Sequence, residues 1–202
     1  PAPNPKRLEI FLAEKELDIE TVLIDLMSKE QFSASFQAIN SWGTVPTLVL
    51  DDGTILTEVI GILNYLEDMY PQKPLLGTDP LSRALILSWD HRCFTDGFLA
   101  VAEVLRNSAP TFSGRSLPGP VSYEQIPQLV NRGHQRIQVF YSVLNKHLEG
   151  RDFMVGDDFT VADIAAFVFV EFSGWVKATI PDECVFLMAW YQQISTRKSF
   201  QS

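Results

Sequence analysis

The stretch from Asn40 to Tyr70, NSWGTVPTLVLDDGTILTEVIGILNYLEDMY, constrains this chain more than any other. A loop ends at Val45-Pro46, and the apolar, β-branched run Thr47 to Leu50 reads as a strand that a proline can open. Asp52-Gly53 is a pair that commonly joins hairpin strands. A second short strand follows and runs into a helix near Glu58, where Thr57-Glu58 suits a helix start. Val59, Ile62, Leu63, Leu66 and Met69 then recur at spacings of three and four, the apolar face of a helix reaching about Met69. Each part has a plain structural explanation. Their succession is what points to a small-molecule site.

The rest of the chain can be placed around that stretch. Pro5 suits the first position of a helix because its fixed φ is helical and its missing N–H is not needed there. Leu8, Phe11 and Leu12 form the apolar stripe of a helix from about Pro5 to Glu16. Thr21 to Leu26, TVLIDL, reads as a buried strand, and Lys29 to Ile39 as a helix or loop. Past Tyr70 the breakers of Pro71 to Pro80 mark a linker, after which no strand pattern returns. A long helix is expected from Asp79 to Asn107, bent at Gly97, where an interior glycine costs about 1 kcal/mol against alanine. Ala109 to Tyr123 is a loop, and Glu124 to Glu149 a helix interrupted in pattern by Gly133. In Phe159-Thr160-Val161-Ala162-Asp163-Ile164, Thr160 and Asp163 make a capping box, and Phe159 and Ile164 a hydrophobic staple. The helix that follows, Val161 to Gly174, is apolar nearly all round and belongs at the centre of a helical unit. A last helix runs from about Asp182 to Arg197. The expectation is an α+β unit over 1–72 followed by an all-α unit over 80–202.

Composition narrows the function classes. The chain has 202 residues and a formal charge of -9, with no basic stripe, which argues against a nucleic-acid surface. No apolar run reaches the roughly 18 residues of a membrane span, and no charged and apolar leader opens the chain, so the cytoplasm is the expected location. Cys93 and Cys184 are far apart in sequence and form no CxxC motif. His91, His134 and His147 show no metal-type spacing, so no metal site is expected.

At this level of detail the chain resembles the cytosolic glutathione transferases over nearly all of its length. PNPKRLEIFLAEKEL is similar to their first helix, WGTVPTLVLDDGTILTE to their glutathione-binding turn and hairpin, and FTVADI to their capping box and staple. The resemblance implies a thioredoxin-like N-terminal domain, an all-helical C-terminal domain, a homodimer, and glutathione as cosubstrate. It implies too a small hydrophobic electrophile or a disulfide as second substrate, and a first strand ahead of Pro1. In such proteins the bond before the residue matching Pro46 is cis, and the Val45 N–H and C=O pair with the cysteinyl part of glutathione. Glu58 would bind the glutamyl group, the helix start at Glu58 and Val59 its carboxylate, and Thr44 would lie beside the peptide.

Departures from the family pattern are equally informative. Thr44 stands where Gln or Lys is usual, Val59 where Ser is usual, and Glu16 where Gly ends the first helix. Glu16 therefore implies modest strain or another cap. Ala2 occupies the position of the catalytic Ser or Cys of some classes and can donate nothing. Asn4 falls where the bacterial nu class carries an active-site Asn, whose amide could donate to a thiolate; the other reading is that Asn4 caps the helix before Pro5. Trp89, Phe94, Phe98 and Phe112 line an electrophile pocket or are plain core. Arg83, Asp90 and Asp96 lie on the helix that borders the family's dimer interface, which implies an acid placed to reach a neighbour's ligand. The expected function is a glutathione transferase or glutathione-dependent disulfide reductase, the alternative a non-catalytic binding or interaction protein of the same fold.

Overall fold

The computed structural model describes residues 2–200. Its first helix, α1, spans Pro3–Glu14, two residues earlier than expected, with Pro3 in the first turn and Ala2 at the cap position. Asn4 is therefore inside the first turn, and its reading as the N-cap is overturned. At the other end Glu16 takes a left-handed φ of 56°. The Leu17 N–H closes onto Leu12 O at 2.9 Å, so a Schellman-type cap forms despite the Cβ that usually excludes it.

Thr21 to Leu26 is not a strand. Val22 and Leu23 are exposed, and the nearby backbone bonds are local, from Lys29 N to Leu26 O and from Glu30 N to Asp25 O. A strand exists only where a neighbour takes up its N–H and C=O groups. The neighbour expected here, a strand ahead of Pro1, lies outside the described residues. A single 3₁₀ turn at Glu30–Phe32 leads to α2 (Ala34–Ile39), whose free amides are capped by the Ser33 hydroxyl.

The hairpin expected from Asp52-Gly53 is present. β1 (Thr47–Val49) pairs antiparallel with β2 (Ile55–Thr57), with Thr47 opposite Thr57. α3 (Val59–Met69) follows and buries Val59, Ile62, Leu63 and Leu66 of the face its spacing predicts, while Met69, expected on that face, is exposed at the helix end. Glu67, on the same face, accepts the Leu75 and Leu76 N–H groups at 2.9 and 3.1 Å, while its other oxygen lies 2.8 Å from Lys15 Nζ. These bonds fasten the linker to both helices.

The second half is all helical: α4 (Pro80–Arg92), a π-helical turn (Cys93–Phe98), α5 (Leu99–Ser108), α6 (Gln128–His147), α7 (Val161–Gly174) and α8 (Val185–Ser195). The irregularity expected at Gly97 is the π turn itself, and packing requires glycine there, because a Cβ would lie 2.8 Å from the Phe169 ring and 3.0 Å from Phe140. The expected helix from Glu124 begins only at Gln128. Ser116 Oγ donates to Tyr123 O and Glu124 O, holding that segment in the preceding loop. α7 is buried almost throughout, and the carboxylate of Asp163 accepts from Thr160 N at 3.0 Å, completing the capping box. A further 3₁₀ turn, Lys198–Phe200, packs the C-terminal segment against α1. The α+β unit followed by a helical unit is the class the sequence predicts.

Candidate functional site

The hairpin register builds the site. Since β1 and β2 run antiparallel with Thr47 opposite Thr57, the Val45-Pro46 peptide just before β1 and Glu58 just after β2 lie at the same end of the hairpin. The Val45-Pro46 bond is cis. The N–H and C=O of Val45 make no hydrogen bond among the described residues, although the residue is half-buried. Glu58 then starts α3 at φ 61° and ψ 118°, a conformation few non-glycine residues adopt, and no side chain caps the helix. Four N–H groups at a helix start lack intrahelical partners. Here they face the same corner as the free Val45 peptide, and the helix dipole adds positive potential there. The Glu58 side chain is exposed.

Asn40 fixes this corner, and its role was not read from the sequence. Only 3% exposed, it donates through Nδ2 to Thr44 O at 2.9 Å, to Thr44 Oγ1 at 3.2 Å and to Thr47 Oγ1 at 3.1 Å. Its Oδ1 accepts the Trp42 N–H at 3.1 Å. The Thr44 hydroxyl is thus committed to Asn40. An Asn at a helix C-terminus followed three residues later by Gly was the signal available, since Asn side chains often close turns onto their own backbone.

Val59 is 4% exposed and packs in the core, so at the start of α3 an apolar side chain stands where a hydroxyl would add a donor. Asn4, on α1, accepts through Oδ1 from Arg7 Nη1 at 3.2 Å. Its Nδ2 has no partner among the described residues. Arg7 itself is buried, forms an ion pair with the buried Asp90 of α4, and lies over the Phe98 ring at 5.4 Å. Burial pushes the Asp90 carboxyl up, against the opposing pull of the Arg7 charge. Asp90 is therefore occupied inside the protein and does not extend toward a neighbouring copy, which corrects that expectation. Arg83 pairs with Asp68 at 3.2 Å and Asp96 with Arg92 at 3.7 Å, all four exposed on the outer surface.

The aromatic candidates separate. Phe98 is core, Trp89 stacks against His147 at 3.9 Å, and Phe94 is partly exposed. Phe112 lies under the Arg106 guanidinium, 4.8 Å away. A surface concavity of about 440 Å³ is lined by Ser88, Trp89, Arg92, Thr95 and Asp96, none of which belongs to the Val45 corner. Burial holds the Cys93 thiol far above its ordinary range, and no group of three or more metal-ligating side chains gathers among the described residues.

Family models for the glutathione S-transferase N-terminal domain and C-terminal domain match residues 2–69 and 109–198 respectively. The chain is 30% identical to glutathione S-transferase 2 of Saccharomyces cerevisiae over 98% of its own length and 83% of that protein's. Among solved structures, a glutathione S-transferase domain-containing protein from Marinobacter aquaeolei superposes with a TM-score of 0.90 at 31% identity, covering 98% of this chain and 96% of that one. A glutathione transferase homologue from Sulfitobacter with bound glutathione has the same fold, at a TM-score of 0.80 and 23% identity over 98% of this chain and 90% of its own.

Proposed function

The chain belongs to the glutathione S-transferase family, and on that premise we propose that it binds glutathione at the Val45 corner and uses its thiolate on a second substrate. The observation that carries this reading is the free Val45 backbone beside the uncapped start of α3. The cysteinyl backbone of glutathione pairs with the Val45 N–H and C=O as an added strand would. Its γ-glutamyl carboxylate meets the N–H groups of Val59 and Ile60, Glu58 receives the ammonium, and Thr44 and Pro46 form the wall beside the peptide. In this reading the second substrate binds between the unit over 1–72 and the unit over 80–202.

The thiol falls near the start of α1, where Asn4 Nδ2 and the positive end of the helix favour the thiolate. The sulfur then forms a bond to an electrophilic carbon while the leaving group departs with its electron pair. With a disulfide, the sulfur attacks one sulfur and the other leaves as thiolate. The second substrate is a small hydrophobic electrophile or a disulfide, the location cytoplasmic, and the assembly a homodimer. Exposed Leu81 and Leu85 on α4, with Met69 and Tyr70 at the end of α3, give the dimer an apolar surface. Ala2 and Val59 favour a second reading, in which the protein binds its ligand without turnover.

Glutathione-induced thermal stabilisation tests the site, since a ligand that binds only the folded state raises its stability by RT ln(1 + [L]/Kd). Turnover of a generic aryl halide or a small disulfide separates enzyme from binder; tight glutathione binding with neither activity would overturn the enzyme reading. Asn4→Ala should raise the pKa of the bound thiol, and an unchanged titration would remove Asn4 from the mechanism.

A further inference from the structure

Most arginines of this acidic protein meet a carboxylate: Arg7 pairs with Asp90, Arg83 with Asp68, Arg92 with Asp96, Arg132 and Arg136 with Glu103, and Arg197 with Glu14. Arg151, which is exposed, Arg106 and Arg115 do not; of these Arg106 and Arg115 are half-buried, and among the described residues neither has an acid within salt-bridge distance. They sit together. Arg106 Nη1 donates to the Arg115 carbonyl at 2.9 Å, and the charge of Arg115, with burial, depresses the Arg106 pKa. Two half-buried guanidiniums that repel each other and have no carboxylate beside them are an arrangement that an anion would relieve.

Their position says which anion. Arg115 lies in the loop between α5 and α6, with its guanidinium 5.0 Å from the Phe32 ring centre. Phe32 packs so closely on Gly43 that a Cβ there would lie 2.7 Å from the ring, and a Cβ on Gly119 of the Arg115 loop would lie 3.3 Å from the Trp42 ring. This loop of the helical unit is thus laid against the wall made by Phe32, Trp42 and Gly43, immediately before Thr44 and Val45. Its backbone is held by bonds from Tyr123 N to Gly114 O at 3.1 Å and from Ser122 Oγ to Gly114 O at 2.7 Å, so Arg115 is presented from a fastened turn.

We propose that Arg115, backed by Arg106, is a carboxylate subsite beside the wall made by Phe32, Trp42 and Gly43. It holds either the glycyl carboxylate of glutathione or a carboxylate carried by the second substrate. This inference rests on glutathione occupying the Val45 corner. A guanidinium and a carboxylate pair with charge-assisted bonds, frequently two in parallel, whereas a neutral group of the same shape gains nothing there.

The test is calorimetric and kinetic on the whole chain. Wild type, Arg115→Met and Arg115→Lys are titrated with glutathione and with its glycyl monoethyl ester, which lacks that charge. They are then assayed with a neutral aryl halide and its carboxylate-bearing analogue. If the subsite takes glutathione's glycyl group, Arg115→Met weakens glutathione about tenfold or more, leaves the ester unchanged, and Arg115→Lys recovers most of the loss. If it takes the second substrate, both titrations are unchanged and KM rises about tenfold for the carboxylate-bearing halide alone. Equal losses for charged and neutral partners would mean that Arg115 only shapes the loop, and no change with any partner would likewise overturn the subsite. Wild type that binds neither glutathione nor its ester overturns the glutathione reading itself, and the subsite with it.

Discussion

Val59→Ser should tighten glutathione binding at a measurable loss of stability. Val59 opens α3 at 4% exposure, beside the free N–H groups that are proposed to hold the γ-glutamyl carboxylate. A serine hydroxyl there adds one donor to an ionised acceptor, a bond usually worth about 1.5–3 kcal/mol. At about 1.4 kcal/mol per decade this lowers Kd by roughly 10- to 150-fold. The substitution also removes two buried methyl groups at about 0.8 kcal/mol each, so the ligand-free protein should lose on the order of 1.5 kcal/mol. Val59→Ala is the control, since it deletes the same methyl groups and adds no hydroxyl. Titration calorimetry gives Kd for all three proteins, and urea unfolding without ligand gives the stability loss. If folded Val59→Ser binds glutathione no more tightly than Val59→Ala does, the carboxylate does not sit at the start of α3, and the orientation proposed for glutathione is wrong.

Other expectations concern what holds the site in place. The Asp163 carboxyl is pushed up to about 6 by burial, against hydrogen bonds from Met154, Thr160 and Trp190. A folded pKa above the unfolded value gives stability that is full below about pH 3.8 and lost as pH rises through about 6, a shift of about 2 units or about 3 kcal/mol. Wild type should therefore lose stability relative to the non-titrating Asp163→Asn between pH 4 and about 7 in urea melts, and a difference that is flat or grows with pH contradicts this. Arg7→Met should cost about 3–5 kcal/mol by leaving Asp90 buried and unpaired, and Arg7→Met/Asp90→Leu should cost less than Arg7→Met alone. Additive losses would show that the pair is not coupled. Gly133→Ala places a Cβ 2.6 Å from Val104 and 2.9 Å from the Ala100 carbonyl, so overpacking of about 1–3 kcal/mol or more should outweigh the helix-propensity gain of about 1 kcal/mol. In Gly61→Ala the Cβ meets open space, and urea unfolding should show no comparable loss.

Where local chemistry decides the outcome, the chain could be read directly. The hairpin at Asp52-Gly53, the face of α3 and the Thr160–Asp163 capping box depend on residues a few positions apart, and all are present. Gly97 and Gly133 announced irregularity, but the partners that require glycine, Phe140, Phe169 and Val104, come from other helices and carry no local signal. Thr21 to Leu26 failed for the same reason in reverse, because its composition suits a strand whose pairing neighbour is not among the described residues. The start of α1 was expected two residues late because Pro3 and Pro5 both suit a first turn. Nothing in a helical pattern marks an arginine such as Arg7 as an inward-facing residue.

That buried arginine explains how a sheet of two three-residue strands can support an ordered site. α1 is tied at three points along its length: Arg7 to Asp90 of α4, Lys15 to Glu67 of α3, and Glu14 to Arg197 at 2.7 Å near the C-terminus. Buried pairs of this kind contribute little net stability over apolar packing, yet they penalise every arrangement that leaves one partner unmatched. The same helix lies against α7, the most buried element of the helical unit. Registration of the Val45 corner against the helical unit therefore passes through α1. The amide of Asn4, whose oxygen is held by the same Arg7 that Asp90 anchors, can be aimed only as well as that pair is formed. The proposed thiolate donor and the domain seam are then one structural problem, and substitutions at Asp90 should disturb the bound thiol's titration although Asp90 is not among the residues proposed to touch the ligand.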